Sequence, residues 1–166
     1  DPASDCGEGL GIFVGDVSGK GAPAALYAAL SSGLIRTTAF RCRPTGQMLS
    51  RLNGLLCERR IEARSLALCY ALLNTATRAL EVANAGLPHP LLCRGHEILP
   101  LRAEGVPLGL LEQVEYQPVT VALQPGDVVV FHSDGITENF NAAGEEFGRA
   151  RLRRLLQAHC ADTAWR

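Results

Sequence analysis

Apolar residues fall in short blocks along this chain, and the spacing within each block predicts the element it builds. The run from Leu10 to Val14 ends at Gly15-Asp16 and reads as a short buried strand. The glycine-rich turn after Asp16 leads into a helix with Pro23 near its first turn, where proline's missing amide hydrogen costs little. Leu26, Leu30, Gly33, Leu34 and Thr37 share one face of that helix, which is expected to point inward. Pro44 interrupts the pattern. A second amphipathic helix is expected from about Thr45 to Ile61, with Met48, Leu52, Leu55 and Leu56 turned to the core. The two helices are expected to pack as a pair.

Beyond Arg64 the period shortens. Ser65 to Leu73 is too short and too apolar for a surface helix, Asn74-Thr75-Ala76-Thr77 is a turn, and Leu80, Val82 and Asn84 alternate, which together predict a hairpin. Leu91 to Cys93 and Ile98 to Leu101 flank Arg94-Gly95-His96-Glu97 as a second one. Val119, Val121 and Leu123 alternate before the turn Gln124-Pro125-Gly126-Asp127 and a strand from Val128 to His132. Gly105 to Gln113 mixes turn formers with Val106, Leu108, Leu110 and Leu111, the composition of an ordered loop packed on the body. Leu152, Leu155, Leu156 and His159 recur at helical spacing and predict a terminal helix from about Arg149. Helices beside consecutive antiparallel strands, with no internal repeat or domain boundary, point to α+β layers in a single domain over 1–166.

Composition narrows the class without naming a function. At 166 residues, 47% apolar and 20% charged, the chain is long enough to bury a sizeable core. A net charge of -1 gives no global attraction to nucleic acid or to an anionic membrane, so neither is expected as a partner. The basic stretch Arg149 to Arg154 reads as the solvated face of a helix. No apolar run approaches the roughly 18 to 20 residues of a membrane span, and Asp1-Pro2-Ala3-Ser4-Asp5 lacks the basic start of a secretion signal, so a cytoplasmic domain is expected. The six cysteines contain no CxxC pair and sit mostly in apolar stretches, which favours neither a zinc site nor a disulfide framework.

Two segments end an apolar run in an acid followed by a glycine-containing turn: Gly11 to Gly21, with Asp16, and Val128 to Gly135, with Asp134. Carboxylates held by strand ends need little ordering to bind a hard divalent cation such as manganese or magnesium. Turn capping through backbone hydrogen bonds fits the same spacing. Asp127, in Pro-Gly-Asp, is assigned to its turn. Gly15 to Gly21 fails the P-loop spacing, because Gly15 stands one residue too close to Gly19-Lys20 and Gly21 replaces the Ser or Thr. Lys20 is at most a weak phosphate contact. Ser18 and Ser133 lie outside any GxSxG elbow, and the histidines lack ligand spacing, with His89 read as a loop residue.

The order of the motifs is more specific than any one of them. Gly15-Asp16-Val17-Ser18-Gly19-Lys20-Gly21-Ala22-Pro23-Ala24-Ala25-Leu26, Asn84-Ala85-Gly86, Pro107-Leu108-Gly109, Gln124-Pro125-Gly126-Asp127 and Ser133-Asp134-Gly135-Ile136-Thr137-Glu138 closely resemble the bacterial metal-dependent serine/threonine phosphatases of the stage II sporulation protein E and sigma-factor-regulating branch, within the type 2C superfamily. The resemblance runs from about Gly9 to Leu156. It implies an α-β-β-α sandwich of two antiparallel sheets flanked by helices, with two manganese or magnesium ions at one end. Asp16 would bridge both ions, the Val17 backbone carbonyl would bind one and Asp134 the other. A metal-activated water would attack the phosphorus of a phosphoserine or phosphothreonine. The implied partners are a phosphorylated anti-sigma-factor antagonist and a sensor or regulatory domain elsewhere in the full-length protein.

Three departures accompany the likeness. The family's upstream acidic motif and its downstream Asp-Asp-x-Thr motif have no match here, so the domain is expected to be trimmed at both ends. Leu87 follows Ala85-Gly86 where the family has histidine. Two divalent ions carry four positive charges, of which Asp16 and Asp134 offset two. Uncovered sheet edges would favour association, a homodimer in the simplest case. The competing function is a catalytically incomplete module that binds a regulatory protein through its helix pair and the Gly105 to Gln113 loop. Nucleotide binding at the glycine-rich turn is the weakest reading.

Overall fold

The computed structural model describes residues 9–39, 44–59 and 65–160. The chain divides into two compact units, Asp1–Leu87 with Ala103–Ala122, and Pro88–Arg102 with Leu123–Arg166. Both are mixed α+β, each built on its own antiparallel sheet.

The first unit carries β1 (Gly9–Val17), α1 (Ala22–Ala39), α2 (Thr45–Glu58), β2 (Leu66–Asn74) and β3 (Ala79–Ala85). The second unit's β4 (Leu91–Arg94) and β5 (Glu97–Pro100) then intervene before β6 (Val119–Ala122) returns to the first sheet. That sheet has the order β1-β2-β3-β6, all neighbours antiparallel. Phe13, Val17, Leu66, Leu68, Tyr70, Ala83 and Ala85 meet Tyr27, Met48, Leu49, Leu52 and Leu56 of the helices in one core, and the Phe13 and Tyr70 rings stack at 4.3 Å. Asn74 makes the expected turn by accepting the N–H groups of Ala76 and Thr77 through its Oδ1.

Helix α2 starts after Pro44, which offers no side-chain cap. Glu81 of β3 supplies one instead: its Oε1 accepts from the Thr45 N–H at 2.6 Å and from Thr45 Oγ1 at 2.7 Å. A carboxylate at a helix N-terminus satisfies an orphan donor and faces the positive end of the dipole. Along the helix Met48, Leu52 and Leu56 are buried as expected, joined by Leu49 and Asn53, while Leu55 is half-buried. The expected extension to Ile61, like Cys6 and Cys42, lies outside the described residues.

The inward face of α1 differs from the expected one. Ala24, Tyr27, Ser31 and Thr38 are buried, whereas Leu26 is 72% exposed and Gly33 and Thr37 are exposed. Tyr27 sets the orientation by seating its ring in the core, which turns the adjacent Leu26 outward. The helix is rich in small residues around its whole circumference, so periodicity alone fixes its facing weakly.

The loop from Ala103 to Pro118 is ordered, as expected. Leu108 is fully buried and its backbone exchanges hydrogen bonds with Leu66, at 2.8 and 3.0 Å. Asn53 clamps the next turn, accepting from the Gly109 N–H at 2.8 Å and donating to the Leu111 carbonyl at 2.7 Å. Leu110 and Leu111 remain exposed.

In the second unit the sheet order is β5-β4-β7, with β7 (Val128–Val130) antiparallel to β4. The turn Gln124 to Asp127 therefore joins strands of different sheets. The strand expected to reach His132 stops at Val130, and the short helix α3 (Asp134–Thr137) follows. Helix α4 (Gly148–His159) packs Leu152, Leu156 and Cys160 against Leu91, Cys93 and Ile98. Leu155 and His159, expected inward, are exposed. Arg149, Arg151, Arg153 and Arg154 are exposed, as a solvated helix face should be.

Candidate metal and phosphate site

Asp16 lies inside β1 rather than in the turn after it, paired in register with Ala67, and its side chain is exposed. Among the described residues no hydrogen bond or ion pair reaches its carboxylate. The turn-capping alternative is thus not what the fold makes of it. The strand ends one residue later at Val17, opposite Leu66. Leu66 turns its own N–H and C=O to Leu108, and the Ser18 N–H reaches the Ser65 carbonyl at 3.0 Å. Val17 and Leu66 therefore form a non-hydrogen-bonded pair. Since β1 ends the sheet order among the described residues, the Val17 carbonyl points away from β2.

The turn beyond is built by glycines with positive φ, Gly19 at 94° and Gly21 at 77°. Ser18 closes the end of the β1–β2 ladder by accepting the Ser65 N–H on its Oγ at 2.8 Å. Lys20 is exposed beside these glycines.

Asp134 opens α3, four residues past the end of β7, so it is held by a helix start and not by a strand end. Its backbone carbonyl accepts from the Glu138 N–H at 2.7 Å and from Thr137 Oγ1 at 3.2 Å, which fixes the residue's place. Its carboxylate is exposed and has no hydrogen bond or ion pair among the described residues. Next to it, buried His132 has Nδ1 3.1 Å from the Ser133 carbonyl, which assigns the ring proton to Nδ1.

Asp127 makes the contrast. Its carboxylate binds Arg94 at 2.6 Å and accepts the Gln124 N–H at 2.8 Å. The hydrogen bond from Arg94 holds its pKa below the usual carboxylate value against the effect of burial. It is a structural turn residue, as the sequence indicated.

Two of the motifs turn out to fasten one another. Asn84 exchanges hydrogen bonds with Leu87, its Nδ2 donating to the carbonyl at 2.7 Å and its Oδ1 accepting the N–H at 3.1 Å. That tight turn places Gly86 at φ 87°, where a Cβ would stand 2.5 Å from Pro107. A Cβ on Gly105 would likewise run into the Asn84 carbonyl. Asn84-Ala85-Gly86 and Gly105-Val106-Pro107 are thus a packed lock between β3 and the loop, with no chemical role in view.

Asp16, Val17 and Lys20 belong to the first unit and Asp134 to the second. The donors suit a hard divalent cation: two carboxylate groups without competing bonds among the described residues, and a backbone carbonyl free of its ladder. No group of three or more His, Cys, Asp or Glu side chains able to hold a metal occurs among the described residues. Asp1, Asp5 and Asp162 lie outside them. No helix among the described residues is long and apolar enough to cross a membrane.

The architecture is that of the PP2C-type phosphatase domains. It superposes on the RsbU and RsbW domains of a Mycobacterium tuberculosis protein with a TM-score of 0.80, at 22% identity, over 93% of this chain and 43% of that one. The PP2C phosphatase domain of SpoIIE from Bacillus subtilis, solved with a fragment of its regulatory domain, gives 0.75 at 17% identity over 90% of this chain and 44% of that one. Residues 7–165 match the family described as Stage II sporulation protein E (SpoIIE), and the chain belongs to that family. Phosphoserine phosphatase RsbU of Bacillus subtilis (strain 168) is 28% identical over 160 residues, 95% of this chain and 47% of RsbU. The chain therefore spans about half the length of that relative.

Proposed function

We propose that the two units together form a metal-dependent phosphatase domain that hydrolyses phosphoserine or phosphothreonine on a regulatory protein, and that Asp16, the Val17 carbonyl and Asp134 meet at its metal centre. The observation that carries this reading is the difference between the acids. Asp127 and Glu81 are consumed by structural hydrogen bonds, whereas Asp16 and Asp134 have backbones held by β1 and α3 and carboxylates without a bond among the described residues. A strand-held carboxylate beside a carbonyl that points away from β2 can take up a hard cation with little further ordering. Asp134 adds the second negative charge.

Manganese or magnesium, two ions in the complete family site, supplies Lewis acidity when bound, acidifying water and offsetting charge on the phosphoryl oxygens. The chain's own residues set the rest. Lys20 places an exposed ammonium beside the Gly19 and Gly21 backbone, a weak attraction for the phosphoryl group. Ser18 Oγ accepts the Ser65 N–H at the end of the β1–β2 ladder, a structural use consistent with direct attack by water. RsbU's description as a phosphoserine phosphatase supports the reaction class, and the joining of RsbU and RsbW domains in the Mycobacterium tuberculosis protein supports a regulatory protein partner, for which the family resemblance implies an anti-sigma-factor antagonist.

A second reading, a phosphatase-like module that binds such a partner without turnover, is favoured by the exposed Leu110 and Leu111 of the loop and by there being no group of three or more metal-ligating side chains among the described residues. Phosphate release from a phosphoserine peptide with added manganese separates the two. Turnover is expected, falling on the order of a thousandfold in Asp16→Ala and in Asp134→Ala, the scale for removing a principal charge-stabilising group. Manganese binding with no hydrolysis would leave the binding module.

A further inference from the structure

A cavity of about 430 Å³ lies under α1, within the range of small-molecule sites. Phe13 and Val17 of β1, Leu68 of β2 and Ile35 of α1 give it apolar walls, and Ser31, Ser32 and Arg36 of α1 are its polar lining. Ser31 is only 2% exposed, yet its hydroxyl has no hydrogen-bond partner among the described residues. A helical serine or threonine ordinarily satisfies its hydroxyl on a carbonyl one turn back. Thr37 of the same helix does so, with Oγ1 3.2 Å from the Gly33 carbonyl oxygen and 3.0 Å from that of Leu34. Ser31 forgoes that bond and holds an unpaired hydroxyl in an apolar chamber, an arrangement that is costly unless something accepts from it. Arg36 lies about 7.5 Å further along the helix axis. It is exposed and has no ion pair among the described residues.

We infer that this cavity binds a small amphipathic anion, with an aliphatic body against the apolar walls and an oxygen-bearing acidic head that accepts from the Ser31 hydroxyl and pairs with Arg36. Three donor side chains, Ser31, Ser32 and Arg36, and no acid on the lining select an acceptor head with negative charge, and the walls select a hydrocarbon tail. The inference is independent of the phosphatase reading. It has a structural corollary, because the occupant touches Val17, the neighbour of Asp16, on the strand that carries that acid.

Isothermal titration of the 166-residue chain with decanoate, held below its micelle concentration, tests this directly. Saturable one-to-one binding is expected, with decanol binding more weakly than decanoate. Ser31→Ala, which removes the hydroxyl oxygen and leaves the Cβ in place, is expected to lose about fivefold in affinity, the scale of one hydrogen bond. Arg36→Gln is expected to erase the preference for decanoate over decanol. Ala28→Trp, which fills the chamber from its exposed side, is expected to abolish binding while far-UV circular dichroism stays unchanged. No binding by the native chain, or equal binding by folded Ala28→Trp, would overturn the inference.

Discussion

Three aspartates show how surroundings assign one residue type to different work. Asp127 spends its charge on Arg94, a partner 33 residues away, and that hydrogen bond lowers its pKa. A carboxyl whose folded pKa is depressed adds stability above the unfolded value, about 3.9 for aspartate, and loses it as pH falls through the folded value. Asp127→Asn is therefore expected to lower the melting temperature at pH 7, with the gap to the native protein closing as the pH drops below about 4. Asp16 and Asp134 make no such bond among the described residues, so alanine at either is expected to leave thermal stability within about 0.5 kcal/mol while removing activity, read by melting curves beside phosphate release. The sequence showed Asp127 as a turn residue through Pro-Gly-Asp. It left the other two between turn and metal, because a carboxylate's freedom depends on neighbours that folding supplies. Cysteine reactivity follows the same logic. Burial pushes the Cys69 thiol up to about 12 and leads the rise to about 12 at Cys93. Both are expected to escape iodoacetamide at pH 8 in the native protein and to react after denaturation, as mass spectrometry would show.

At the scale of elements, hydrophobic spacing recovered most of the strands and helices, and failed where a single large side chain chose the facing. On α1 the leucine stripe predicted one face and Tyr27 selected the next, because its ring reaches deeper into the core than Leu26. On α4 the same spacing gave Leu152 and Leu156 correctly but not Leu155. The cap on α2 was not legible at all, since Glu81 comes from a strand 36 residues away. The lock between Asn84-Ala85-Gly86 and Gly105-Val106-Pro107 was visible as two glycine motifs and invisible as one contact. Gly86→Ala forces a side chain into positive φ and against Pro107, and is expected to destabilise by about 2 to 4 kcal/mol in urea unfolding. An equal effect at Gly95, where a Cβ meets nothing, would assign the loss to backbone strain alone.

For the whole molecule, the ordered series of motifs identified the family and the antiparallel α+β class, because the motifs sit at turns, strand ends and a helix start that the fold needs. What no local pattern encodes is whether residues of separate units meet. Asp16 and Asp134 are separated by most of the chain, and the proposed chemistry requires both on one metal centre. Paramagnetic manganese reports that requirement directly in an isotope-labelled sample of the protein, since it broadens the amide signals of nearby residues. The account predicts that substoichiometric manganese broadens Gly15 to Ser18 and Ser133 to Ile136 together, and that Asp16→Ala relieves the broadening in both segments. Broadening of one segment without the other, or relief confined to the mutated segment, would contradict it.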